Sequence, residues 1–157
     1  MSDTPDTSRA RVLPTRGLLA GVVLAGLVLA VVRAQAPPSG PEPVAWNHTA
    51  CSRCGMLVGE PGFAAQLHAA DGAVHHFDDP GCLLLFESER AAPAAAVWLH
   101  HRDEERWLAR EQAGFAAAES TPMGYGLSAV DAGAPGALGW DAALERARLQ
   151  DARRSGP

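Results

Sequence analysis

An unbroken apolar run near the N-terminus constrains this chain more than any other feature. The run extends from Gly17 to Val32 without a charged or polar side chain, and an arginine flanks each end. As an α-helix it would be about 24 Å long, close to the roughly 30 Å of a bilayer's hydrocarbon core. Three arginines precede the run and one follows it closely, so the positive-inside rule places the following chain outside the cytoplasm. We therefore predict a cytoplasmic tail over residues 1–16 and a single-pass transmembrane anchor over 17–33.

A cleaved signal peptide is the alternative interpretation of the same run. Residues 34–36 have the A-x-A form of a cleavage site, but Pro37 follows and fits poorly where a protease binds an extended strand. Both interpretations deliver the rest of the chain to the same compartment. The Pro-rich residues 34–45 predict a stiff linker, and we expect residues 46–154 to form the folded domain.

The exported part is long enough for one domain with a hydrophobic core that needs no disulfide to fold. The net charge is −5, and every basic residue is an arginine. No basic patch with interleaved aromatic residues occurs, which argues against nucleic acid as a partner. The chain has 3 cysteines, too few for a disulfide scaffold and odd in number.

Turn and capping residues predict the secondary structure of the domain. Asp71-Gly72 indicates a β-hairpin with strands over 63–70 and 73–77. Asp79 and Pro80 are typical of an N-cap and a first helical position. Later segments predict a strand over 94–101, a returning strand over 106–109, a weaker strand over 115–119, a loop over 121–126 and a final helix over 141–154. The fold class is therefore α+β, with two loosely similar strand-hairpin-plus-helix halves after one N-terminal transmembrane helix.

Several histidines lie in the predicted strands. If Asp71-Gly72 is a two-residue turn, His68 lies directly opposite His75 on a polar face that we expect to be exposed. A weak auxiliary Cu(II) or zinc site is the alternative interpretation of that pair. His100 and His101 end a strand at a charged turn and are predicted at the surface.

Four sulfur-containing residues are candidate metal ligands. Cys51, Cys54 and Met56 share one tight segment, and Met123 lies beside a glycine in a distant loop. Thiolate and thioether are soft donors that select Cu(I) over harder cations. Arg53 adjoins Cys54 and is expected to favour its thiolate form.

Other interpretations of the CxxC segment stay open. Outside the cytoplasm Cys51 and Cys54 could form a structural disulfide or a redox pair, although the strand-then-helix context of a thioredoxin motif is missing. They could form half of a zinc site, but no second CxxC or HxxxH completes four ligands. Cys82, in the first turn of a predicted helix, is interpreted as a small buried hydrophobic residue, or as a thiolate stabilised by the helix.

The sequence CSRCGMLVGEPGFAAQLHAADGAVHHFDDPGCLLLF, from Cys51 to Phe86, resembles the core of the NosL family. The matching motifs are CGM at 54–56, FDD at 77–79 and a distant PMG at 122–124. Members of the NosL family are membrane-attached copper-binding proteins of the nitrous oxide reductase gene cluster. The resemblance implies an α+β fold of two related halves and delivery of Cu(I) to an exported copper enzyme.

The resemblance also assigns the ligands. It implies that Cys54 is the thiolate ligand and Met123 a thioether ligand, with Met56 a further candidate. Family members often place His two residues after that second Met, where this chain has Tyr125. The third ligand is then Cys51, Met56 or a histidine, or the site is altered.

These inferences combine into one expected function. The chain is expected to be an anchored Cu(I) chaperone of the inner membrane, single-pass, with its C-terminal domain in the periplasm and no catalytic activity. Its expected partner is a copper-accepting exported enzyme, nitrous oxide reductase in the first place, or the assembly complex of that enzyme. The alternative is an exported thiol–disulfide oxidoreductase that uses Cys51 and Cys54.

Overall fold

A computed structural model describes residues 21, 23–29 and 40–156 of the chain. The chain divides into two compact units, Met1–Ala36 and Pro37–Pro157. In the first unit the described residues are helical, and their leucine and valine side chains are exposed. The predicted tail and most of the predicted anchor over 17–33 lie outside the described residues. Within the described part, no helix has the length and apolarity needed to cross a membrane.

The second unit is built on a four-stranded antiparallel sheet. Its strands are β1 (Ala65–Ala69), β2 (Val74–Phe77), β3 (Ala94–His100) and β4 (Trp107–Ala109), arranged in the order β2-β1-β3-β4. The hairpin of β1 and β2 and the hairpin of β3 and β4 therefore join through the pairing of β1 with β3. The two predicted halves thus share one sheet. The predicted boundaries of linker and domain stay predictions.

The remaining elements form a second sheet and two helices. The second sheet pairs β5 (Ala113–Ala117) with β6 (Leu127–Asp131), and the helices are α1 (Pro80–Ser88) and α2 (Trp140–Ser155). The α+β class and the two helices of the domain are confirmed. Strand β6 was missed, because its short LSAVD segment follows a loop rich in glycine and has no alternating pattern of its own.

Helix α1 lies at the centre of the core. Four consecutive residues, Cys82 to Leu85, are buried, so the helix is apolar on every side and must be covered by other elements. It contacts β1, β2, β6 and α2. Helix α2 turns its small residues Ala143 and Ala147 to the core, and both are fully buried. The central position of α1 places its N-terminus beside the loops that carry the sulfur-containing residues.

The observed register of the first hairpin differs from the predicted one. Ala69 N–H donates to Ala73 O at 2.8 Å, and Gly72 has a φ of +90°. The loop therefore has three residues rather than two, and His68 lies opposite Val74. A shift of one residue moves side chains to the other face of a sheet. The prediction that His68 faces His75 on an exposed face is wrong, since His68 is only 1% exposed.

The prediction that His100 and His101 lie at the surface is also wrong. Both side chains are buried. The polar ring atoms have local partners: His100 Nδ1 lies 2.9 Å from His101 O, and Asp103 N–H donates to His101 Nδ1 at 3.2 Å. A histidine whose ring nitrogen is hydrogen-bonded within its own turn can be buried at low cost.

Candidate metal centre

The CxxC segment is a tight loop held by its own backbone. Cys51 N–H donates to Met56 O at 2.7 Å, and Gly55 N–H donates to Cys51 O at 3.0 Å. Gly55 has a φ of +78°, a left-handed conformation that glycine adopts without steric cost. Ser52 N–H donates to His76 O at 2.8 Å, which fixes the loop against the end of β2. The loop thus brings Cys51 and Cys54 to the junction of β2 and α1.

That junction supplies two further polar side chains. Asp79 caps α1, with its carboxylate accepting from Gly81 N–H at 2.8 Å, and Pro80 occupies the first turn. The predicted N-cap is therefore confirmed. Asp78 immediately precedes the cap, and Cys82 lies in the first turn. Because the cap fixes the direction in which the helix leaves the strand, it also fixes the positions of Asp78 and Cys82.

Three cysteines and one aspartate converge at this place. One ligand atom from each of Cys51, Cys54, Cys82 and Asp78 lies within 4.8 Å of the others. We call these four residues the cysteine cluster. Cys51, Cys82 and Asp78 are buried, and Cys54 is partly exposed. The three cysteines lie within the described residues and form no disulfide.

Asp78 has an unusual environment for a carboxylate. Its side chain is 2% exposed, and the Cys54 thiol donates to Oδ1 at 3.4 Å. Its Oδ2 is buried without a hydrogen-bond partner among the described residues. A buried carboxylate oxygen without a partner is costly unless a cation or proton satisfies it.

The four groups of the cysteine cluster shift one another's acidity. Hydrogen bonding from Cys82 lowers the pKa of Cys51 to about 4. The same contact, together with burial, raises the pKa of Cys82. Burial raises the pKa of Cys54 to about 12 and that of Asp78 to about 6. The lowered pKa of Cys51 favours its thiolate form, and a soft cation that binds in the cluster would displace the remaining thiol protons.

Arg53 has a different role from the predicted one. Its guanidinium forms a two-pronged contact with Glu89 at 2.7 and 2.8 Å and contacts Asp151 of α2 at 3.2 Å. Two carboxylates thus pair with the Arg53 guanidinium, and burial raises the pKa of Cys54. The prediction that Arg53 favours the Cys54 thiolate is wrong; Arg53 instead ties the CxxC loop to the region after α1 and to α2.

The loop that carries Met123 reaches the same junction. Met123 N–H donates to Asp79 Oδ2 at 3.0 Å, and Arg154 donates to Met123 O. The Met123 side chain is partly buried against the core. Asp79 therefore holds both the N-terminus of α1 and this loop. Met56, by contrast, is 51% exposed. The assignment of either thioether as a ligand stays a prediction.

Tyr125, at the position where the resemblance led us to expect His, is a packing residue here. It is 2% exposed, and its hydroxyl donates to Asp151 at 2.8 Å. Burial and the contact with Asp151 raise the pKa of Tyr125. Its ring lies against Gly81, so closely that a Cβ on Gly81 would be 2.2 Å from Tyr125 Cγ. The Tyr125 side chain therefore contacts both α1, through its ring, and α2, through its hydroxyl.

A second group of potential ligands, His101, Glu104 and Asp131, fits a metal less well. Arg106 contacts both carboxylates at 2.6 Å. His101 Nδ1 is already bound to Asp103 N–H, and His101 Nε2 lies 3.9 Å from a carboxylate oxygen of Glu104 and of Asp131. The group is better described as a surface ion-pair network.

Comparison with known proteins agrees with the site. A protein-family model described as NosL matches residues 44–154. This chain belongs to the NosL family. NosL proteins are extracytoplasmic copper-binding accessory proteins, so the cysteine cluster lies in a domain of a copper-binding family. The comparisons with curated proteins and with solved structures give no match.

Two residues of the cysteine cluster, Cys82 and Asp78, were not among the predicted ligands. Cys82 was interpreted first as a buried hydrophobic residue, and Asp78 was noted only within the FDD motif. Their local sequence shows only that Asp78 immediately precedes a capped helix whose first turn contains Cys82. The position of the CxxC loop in the fold was not predicted. Only that position brings Cys82 and Asp78 into the candidate site.

Proposed function

We propose that this NosL-family protein binds Cu(I) at the cysteine cluster and delivers it to an exported copper enzyme, nitrous oxide reductase in the first place, or to the assembly complex of that enzyme. The observation that carries the proposal is the convergence of three cysteine sulfurs within 4.8 Å at a largely buried place. Two or three thiolates are a preferred environment for Cu(I), the softest of the common biological cations.

The roles of the individual sulfurs follow from their exposure. Cys51 and Cys82 are buried and would hold the ion. Cys54 is partly exposed and would be the last sulfur to release it. The backbone N–H of Met123 donates to Asp79, the residue after Asp78, and we propose that its thioether is a further ligand. Met56 is exposed two residues after Cys54, where it can contact an acceptor protein during transfer.

The acidity and exposure of the thiols argue against a thiol–disulfide oxidoreductase. Such an enzyme needs an accessible cysteine with a low pKa. Here the cysteine with the lowered pKa, Cys51, is 3% exposed. The accessible cysteine, Cys54, has its pKa raised to about 12. The cluster therefore suits the storage of a soft cation better than attack on a substrate disulfide.

Copper binding and transfer can be measured directly. The reduced, metal-free protein is titrated against a calibrated Cu(I) chelator, and we expect one Cu(I) per chain. The loaded protein is then mixed with copper-free nitrous oxide reductase, and enzyme activity is followed over time, with free Cu(I)–chelator complex as the control. Sub-stoichiometric Cu(I) binding would overturn the proposal of a copper carrier; tight binding without activation would overturn the proposed acceptor.

We further propose that the predicted anchor over 17–33 attaches the domain to the inner membrane, with the domain in the periplasm. The support comes from the length of the run and from the arginines before it. We predict that a reporter enzyme active only outside the cytoplasm is active when fused after Pro157, and that a cytoplasmic reporter at the same position is inactive. The reverse pattern on stable fusions contradicts the orientation.

A further inference from the structure

The C-terminal half of helix α2 carries positive charge that the fold leaves uncompensated. Residues 146–155 contain four arginines and one acidic residue, Asp151. Elsewhere in the described chain, each arginine contacts a carboxylate or a histidine. Among the described residues, no carboxylate forms an ion pair with any of these four arginines. We call them the arginine end of α2: Arg146, Arg148, Arg153 and Arg154.

The arginine end of α2 lies along the loop that carries Met123. Arg154 donates to Met123 O, and its guanidinium carbon lies 5.1 Å from the centre of the Tyr125 ring. A terminal nitrogen of Arg146 lies beside Gly126, where an added Cβ would be 3.3 Å from it. Arg146 and Arg154 are about 12 Å apart along the helix axis. The two arginines therefore border the loop over residues 121–126.

The CxxC loop adjoins the same end of α2. Arg53, the residue before Cys54, contacts Asp151 at 3.2 Å. Met56 and Leu57 follow Cys54, and these apolar side chains are 51% and 56% exposed. The partly exposed sulfur of Cys54 is thus accompanied by two exposed apolar side chains and by the positive charge of α2.

The helix macrodipole accounts for only part of this charge pattern. Carbonyl groups at the end of a helix stabilise cations in its last turn, which suits Arg153 and Arg154. The effect falls off beyond that turn, and Arg146 and Arg148 lie about two turns before the end of α2. In a chain with a net charge of −5, these arginines instead indicate a surface that a negatively charged molecule neutralises.

We infer that the arginine end of α2, together with Met56 and Leu57, is the docking surface for the copper acceptor, and that the acceptor is a protein with an acidic surface. This inference rests on the proposed delivery of copper. Complementary charges speed the encounter of two proteins and fix their orientation, so the acceptor would meet the exposed side of Cys54. An anionic phospholipid surface also attracts arginines, but it offers no soft donor to which Cu(I) could pass.

The rate of copper transfer tests the docking surface. The test variant is Arg148→Gln with Arg153→Gln, at two exposed positions of α2. The matched control is Ala70→Glu with Ala73→Glu, at the exposed tip of the first hairpin, which changes the net charge by the same amount. Each full-length protein, reduced and loaded with Cu(I) in neutral detergent, is mixed with copper-free nitrous oxide reductase at low and at high salt.

We expect the arginine variant to transfer copper about 10-fold more slowly than the unmodified protein at low salt, and at a similar rate at high salt, where the charges are screened. The control should stay within about twofold of the unmodified protein, and all three should bind Cu(I) with the same affinity. Equal transfer rates for the arginine variant and the unmodified protein at low salt would overturn the inference. So would a loss of rate matched by an equal loss of Cu(I) affinity.

An acidic peptide separates this inference from the proposed acceptor. A glutamate-rich peptide is added to the full-length, metal-free protein in detergent micelles, and the amide chemical shifts are followed. We expect changes over residues 146–155 and 121–126. No change there would overturn the docking surface, whereas changes there without copper transfer to nitrous oxide reductase would overturn that acceptor alone. Changes caused by anionic phospholipid in the micelles and not by the peptide would also overturn the inference, because the arginines would then bind the membrane surface.

Discussion

Replacing both cysteines of the CxxC motif, Cys51→Ser with Cys54→Ser, is expected to lower the affinity for Cu(I) about 1,000-fold or more. Two of the three thiols of the cysteine cluster are lost, including the one whose pKa is lowered to about 4. Cu(I) needs at least two soft donors, and one thiolate with neutral thioethers is a poor replacement. A 1,000-fold loss corresponds to about 4 kcal/mol of binding free energy.

The measurement is competition with a calibrated Cu(I) chelator under reductant for a graded series of variants. We expect Cys54→Ser alone to lie between the double variant and the unmodified protein, and Met123→Leu to have a smaller effect. His48→Ala, at an exposed position outside the cluster, is the control and should bind like the unmodified protein. Near-normal affinity in the folded double variant would show that copper binds elsewhere.

Gly81→Ala is expected to destabilise the domain by about 3 kcal/mol, although alanine is normally the better helix former. A Cβ at this position would lie 2.2 to 2.5 Å from three carbon atoms of Tyr125. The Tyr125 ring cannot move away easily, because it is buried and its hydroxyl is bound to Asp151. The steric clash therefore outweighs the gain in helix propensity of roughly 1 kcal/mol.

Chemical denaturation, with the free energy of unfolding as the readout, tests this prediction. Gly133→Ala is the matched control, because no atom lies within 4 Å of the Cβ that it would add. We expect the control to differ from the unmodified protein by less than about 1 kcal/mol. A Gly81→Ala protein as stable as the control would mean that α1 and the Tyr125 loop can separate without cost.

Predictions that depended on neighbouring residues in the chain were the most accurate. The N-cap Asp79, followed by Pro80, placed the start of α1 correctly, because a cap is satisfied within its own turn. The hairpin between β1 and β2 was also located correctly. Its register was not, because a loop of three residues replaced the expected turn of two, and the sequence Asp71-Gly72 suits both.

In the candidate site, too, the features that depend on neighbouring residues were predicted and those that depend on distant contacts were not. The CxxC motif identified Cys51 and Cys54 as candidate ligands, since soft donors close together in sequence indicate a metal or redox site. Nothing in the local sequence of Cys82 distinguishes a ligand from a small core residue. The burial of α1 against β2 and the folding of the CxxC loop onto its N-terminus make the difference.

The sequence by itself determined the α+β class, the resemblance to the NosL family, the capped start of α1 and the two cysteines of the CxxC motif. These features depend on residues that are close together in sequence, so they can be recognised without the tertiary structure. Only the tertiary structure decided that Cys82 and Asp78 complete the cluster, that Tyr125 packs against Gly81, and that Arg53 pairs with carboxylates rather than with Cys54. Each of these contacts joins elements that are distant in sequence, and the packing of the core, which no local pattern encodes, brings them together.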